Sequence, residues 1–60
     1  MFVELNTGQL LNVFKIGLIQ VDGKHIIYTL QNGLVVTEHI GSEDGAESRM
    51  SELKSLLLKG

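Results

Sequence analysis

Two dipeptides constrain this chain more than any other feature. Asp22-Gly23 separates residues 17–21 from 24–30, and Asn32-Gly33 separates 25–31 from 34–39. The flanking segments are rich in Ile, Val, Leu, Tyr and Thr, the composition of strands. Asp-Gly and Asn-Gly supply the positive φ angles of a type I′ turn, whose twist matches the strands it joins. Two hairpins in succession make an antiparallel meander. A further turn at Asn6-Thr7-Gly8 joins residues 2–5 to 9–13, and Phe14-Lys15-Ile16 reads as a short connection into the next strand. The expected strands are 2–5, 9–13, 17–21, 24–31 and 34–39.

The last quarter changes period. After the polar stretch Gly41-Ser42-Glu43-Asp44-Gly45, the apolar residues Ala46, Met50, Leu53, Leu56 and Leu57 recur at helical spacing. Asp44 with Glu47 three residues on predicts a capping box, and Lys59 and Gly60 predict the stop. The helix is expected over 45–59. The fold class is therefore α+β: one domain, an antiparallel β-meander of about five short strands, with one C-terminal amphipathic helix packed on one face.

Length then bears on partners. The chain has 60 residues and no cysteine. A domain of that size buries only about 60% of the surface its unfolded chain exposes, and such domains commonly lean on a disulfide, a metal or a partner. Disulfides and cysteine-based zinc clusters are excluded, which leaves association. With two-residue turns at both dipeptides, one sheet face carries Ile19, Val21, Ile26, Tyr28, Leu30, Val35 and Thr37. The opposite face carries Leu18, Gln20, His25, Ile27, Thr29, Gln31, Leu34, Val36 and Glu38. One helix covers the first face. Leu18, Ile27, Leu34 and Val36 on the second form either an interface or a surface that a curled sheet covers with its own first hairpin. Leu58 lies about 140° around the helix from Leu53 and is a further candidate contact. The expectation is a homo-oligomer that also engages a protein partner.

Other classes find less support. The net charge is −2, and Lys15, Lys24, Arg49, Lys54 and Lys59 are scattered, without the basic patch of a nucleic-acid binder. A small nucleic-acid-binding regulator is the competing reading, resting only on the frequency of small β-modules among such proteins. Apolar runs are a few residues long, too short to span a membrane. Residues 1–5 lack the basic flank and apolar core of a signal peptide, so the expected location is the cytoplasm. His25 and His39 are expected on opposite faces, as edge or rim residues, with no metal-ligand spacing. Asp22 and Glu38 lack the depth of a cleft for paired-carboxylate chemistry, and the serines have no base beside them. No catalytic, cofactor-binding or metal site is expected, and no enzyme activity. Phe2 and Phe14 read as core plugs at strand ends, and Tyr28 as a core residue or a rim contact.

Some segments resemble known small proteins. Val3-Glu4-Leu5, Gly8, Leu11-Asn12-Val13, Ile16-Gly17-Leu18-Ile19, the run from Ile26 to Gly33, and Val35-Val36-Thr37-Glu38 resemble the flagellar FlbD/SwrD-type proteins over residues 2–38. That resemblance implies a motility accessory role. Ser42-Glu43-Asp44-Gly45-Ala46-Glu47-Ser48-Arg49 with Leu53-Lys54 looks more like the final helix of short uncharacterised Firmicutes and phage proteins of the meander-plus-helix kind, and implies no activity. The run Tyr28 to Gly33 also resembles the Sm-like fold. Sm-like chains usually begin with their helix, and their basic RNA-binding residues have no counterpart here.

Overall fold

The computed structural model describes residues 1–58. In chain order these form β1 (Phe2–Glu4), β2 (Leu10–Asn12), a single 3-10 turn (Val13–Lys15), β3 (Ile16–Asp22), β4 (His25–Leu30), β5 (Val35–His39) and α1 (Glu43–Leu58). The five strands divide into two antiparallel sheets, β1-β2 and β3-β4-β5. The 3-10 turn makes the break. Asn12 accepts the Phe14 amide on its Oδ1 at 3.1 Å, and the Gln31 amide donates to the Lys15 carbonyl at 2.9 Å, which docks the turn on the far end of the second hairpin.

Neither dipeptide forms the expected I′ turn, because no residue other than glycine adopts a positive φ among the described residues. At the first, Asp22 pairs with His25, so the two-residue loop is Gly23-Lys24, with Gly23 at φ 60°. Glycine in the first central position is the II′ arrangement. The loop moves along by one residue, the pairing sum by two, and the faces of β3 and β4 stay as expected.

At the second, the loop has three residues. The Gly33 amide donates to the Leu30 carbonyl at 2.9 Å, and the Leu30 amide to the Leu34 carbonyl at 2.7 Å. Asn32 accepts the Leu34 amide on Oδ1 at 3.1 Å, and the positive φ of 92° falls to Gly33 alone. The first hairpin uses the same device: Gly8 to Leu5 at 2.9 Å, Leu5 to Gln9 at 2.8 Å, and Gly8 at φ 90°. One extra loop residue turns every side chain of β5 over. Tyr28 now pairs with Val36 and Ile26 with Glu38. The inner face is therefore Ile19, Val21, Ile26, Tyr28, Val36 and Glu38, and Val35, Thr37 and His39 face outward.

The core lies on that inner face. Val3 and Leu5 from the first hairpin, Ile26 and Tyr28 from β4, and Ala46 and Leu53 from α1 are buried together, with Ile19, Val36, Met50 and Leu57 packed around them. The first hairpin thus shares the inner face with α1. Phe2 and Phe14 are exposed rather than core plugs, and Leu56 stands at the exposed margin of the helical stripe.

The helix begins two residues earlier than expected. Ser42, not Asp44, caps it: the Ser42 Oγ accepts the Gly45 amide at 3.0 Å, and the Ser42 carbonyl accepts the Ala46 amide at 3.0 Å. Gly41, at φ 100°, turns the chain into this cap. Glu43 and Asp44 occupy the first turn, where the exposed amides favour negative charge. The expected stop at Lys59 and Gly60 lies outside the described residues. No described helix is long and apolar enough to cross a membrane.

Candidate functional site

The flip of β5 carries Glu38 from the expected open face into the interior, where it is 1% exposed. A buried carboxylate needs a hydrogen-bond donor for each oxygen and a cation nearby. Three elements supply them. The Tyr28 hydroxyl donates to Oε1 at 2.8 Å from the adjacent strand, and the Asn6 backbone amide donates to Oε2 at 2.7 Å from the first hairpin loop. Arg49, on α1, donates from Nε to Oε1 at 3.1 Å and from Nη2 to Oε2 at 3.3 Å. Nη2 also reaches the Glu4 carbonyl at 2.7 Å, and Nη1 reaches Glu52. One carboxylate and one guanidinium therefore tie together both sheets and the helix.

Burial raises the Glu38 carboxyl, but the bonds from Arg49, Tyr28 and Asn6 outweigh it and hold it below the usual carboxylate range. Burial, then the bond and charge of Glu38, push the Tyr28 hydroxyl above its usual value. Arg49 loses basicity through burial and regains more from Glu38 and Glu52, ending above its usual value. At neutral pH the three are carboxylate, phenol and guanidinium. A general acid or base works best with a pKa near the working pH, and each of these groups is moved away from it. A groove of about 640 Å³ is lined by Glu38 and Arg49, already bonded to each other, together with Asn6, Gly8, Gly45 and Ser48. Among the described residues no buried side-chain nitrogen or oxygen lacks a partner. The cluster ties β4, β5, the first hairpin loop and α1 together, and Asp22, exposed at the end of β3, is not part of it.

The outer face of β3-β4-β5 is different in kind. Its cross-strand rows are Leu18, Thr29 and Val35; then Gln20, Ile27 and Thr37; then Asp22, His25 and His39. Leu18 is 50% exposed and Val35 60%. Of the expected interface residues, Leu18 and Ile27 are on this face. Val36 is not: it packs against the core. Leu34 follows Val36 in the alternation and turns to the inner side at the sheet end, where it is exposed. Val35, assigned to the covered face on the two-residue loop, takes their place. Leu58 stands apart at the helix end, 83% exposed.

The histidines come together instead of lying on opposite faces. His25 and His39 are cross-strand partners, with His39 Nδ1 2.9 Å from His25 Nε2. The same one-residue loop change that buries Glu38 turns His39 outward beside His25. The sequence signal for both was available in Asn32: as a side-chain cap for the Leu34 amide, Asn32 lengthens the loop, and the Asn32-Gly33 pair then reads as the end of a three-residue connection.

No family model, curated protein or solved structure matches the chain.

Proposed function

We propose that this chain is a non-catalytic protein–protein interaction module that self-associates through the outer face of β3-β4-β5. The observation that carries the reading is the exposed pair Leu18 and Val35, set on one row on either side of Thr29, with Ile27 in the next row. Apolar side chains grouped on an open sheet face mark contact surfaces. The occupant is a second copy because the face is almost free of charge. Asp22, at one corner, is its one formally charged residue, so two copies meet without repulsion, whereas a polyanion finds no cation on it. Facing sheets pack about 10 Å apart with their side chains interleaved, which suits rows of Leu, Ile, Val and Thr. A cytoplasmic setting fits the cysteine-free sequence.

The test is sedimentation equilibrium of the wild type and of Val35→Lys over a concentration series. The wild type is expected to dimerise by about 0.1 mM, in line with mass action for a small interface, and Val35→Lys to stay monomeric. A wild type that is monomeric at every concentration overturns the reading. So does tight, salt-sensitive binding to mixed RNA or DNA in a mobility shift.

A further inference from the structure

We propose that His25 and His39 form a two-histidine chelate for a divalent transition metal of tetragonal preference, copper(II) or nickel(II). The nitrogens His39 Nδ1 and His25 Nε2 are 2.9 Å apart, with ring centroids 4.7 Å apart and the ring planes tilted by 55°. Metal–imidazole bonds are about 2.0–2.1 Å, so two nitrogens bound at a right angle sit about 2.9 Å apart, against about 3.3 Å at a tetrahedral angle. The spacing here fits the right angle and equally an imidazole–imidazole hydrogen bond. A metal replaces that bond once the two rings turn and their in-plane lone pairs meet at one point.

The backbone presents the pair ready-made. His25 follows the Gly23-Lys24 loop directly, and the Lys24 carbonyl accepts the Ile40 amide at 2.9 Å, which clamps the end of β5 beside that loop. The His39 carbonyl accepts Asn6 Nδ2. Both strand positions are thus fixed before any ligand arrives, and only two side chains need ordering. Asp22 stands at the end of the same row, across from His25, and places a negative charge near a bound cation. Among the described residues no third His, Cys, Asp or Glu converges on the point, so the remaining coordination positions are open to water. This arrangement suits copper(II) first, since affinity for a nitrogen site rises through nickel to copper and falls again at zinc. The chelate needs one chain. Because both histidines lie on the face proposed above to pair with a copy, the unpaired chain is the form that binds, and Val35→Lys should keep the copper site.

The experiment is calorimetric titration of tag-free protein with copper(II) and nickel(II) chlorides near neutral pH, with magnesium as control. One ion per chain is expected with affinity in the micromolar range, copper tighter than nickel, and none for magnesium. His25→Gln and His39→Gln should each weaken copper binding by about tenfold or more, because each converts a chelate into a single-ligand contact. Both side chains face the solvent side, and a far-ultraviolet dichroism spectrum checks that each variant stays folded. Selective broadening of the two imidazole proton signals by substoichiometric copper(II) is the second expected result. Wild-type affinity in either variant, or no heat from copper at about 0.1 mM, overturns the proposal.

Discussion

Glu38 on β5 and Arg49 on α1 meet across the interior seam at 3.1 Å, and among the described residues theirs is the ion pair that joins the helix to the sheet. The carboxylate is almost wholly buried and the guanidinium mostly so. Removing one partner of a buried pair leaves the other charged without compensation, which costs about 3–5 kcal/mol. Arg49→Met, which keeps the aliphatic stem, is expected to fall in that range in urea melts run with a stabilising osmolyte. Tyr28→Phe removes one bond to a charged acceptor and should cost about 1.5–3 kcal/mol. The double variant Glu38→Leu with Arg49→Met should be less damaged than Arg49→Met alone. Arg49→Met within about 0.5 kcal/mol of wild type shows that the pair contributes little.

Acid should destabilise the domain through Glu38. Its carboxyl is held below the usual 4.5 in the folded state. Its contribution is complete above that value, where both states are ionised, and is lost as pH falls through the folded value, since the unfolded chain binds the proton first. Tyr28 acts in the opposite direction. Its folded pKa is raised above the usual 10.0, so its contribution is complete below that and is lost in stronger alkali. Urea midpoints should therefore drop below about pH 4.5, and Glu38→Gln should flatten that acid limb. A wild-type midpoint that rises on acidification across the same window contradicts the assignment.

The order of strands and helix was legible in the sequence because local signals set it: alternation, glycine turns and the change to helical period at Ala46. The buried cluster was not, because it depends on a loop length. Asn32-Gly33 marks a turn in either register, but Asn32 Oδ1 holds the Leu34 amide and so keeps Asn32 out of the left-handed conformation. That one residue decides whether Glu38 or Thr37 enters the core and whether His39 meets His25. Arg49 gives a second clue in hindsight: it lies one residue before Met50 on the helix, close enough to the apolar stripe to reach inward.

The same loop predicts how its glycine behaves. Gly33 sits at φ 92°, and a Cβ added there meets nothing within 4 Å. The cost of Gly33→Ala is thus conformational alone, about 1–2 kcal/mol. Gly33→Asn should cost less, because asparagine enters the left-handed region more readily. Gly45→Ala is the contrast: a helical glycine normally gains about 1 kcal/mol on this change, but the new Cβ stands 2.8 Å from the Ser42 Oγ that caps α1 and 3.0 Å from Ile40. Thermal melts should show no gain at Gly45. Gly33→Ala and Gly33→Asn of wild-type stability indicate a loop that does not need the positive φ.

Leu53 and Leu58 separate the helix's inner contact from any outer one. Leu53 is 1% exposed and belongs to the core with Ile26 and Tyr28, whereas Leu58 projects from the helix end. Leu53→Ala removes a buried side chain and leaves a cavity, at a cost of about 2–5 kcal/mol. In a domain of this length that is enough to leave much of the population unfolded at physiological temperature. Leu58→Ala should change stability by less than about 0.5 kcal/mol. Melts of both variants at two protein concentrations extend the comparison to association. With the contact surface on the outer sheet face, the Leu58→Ala melt shifts with concentration as the wild type does. If Leu58→Ala abolishes that concentration dependence, the second copy docks on the helix end, and the surface centred on Leu18, Ile27 and Val35 is not the interface.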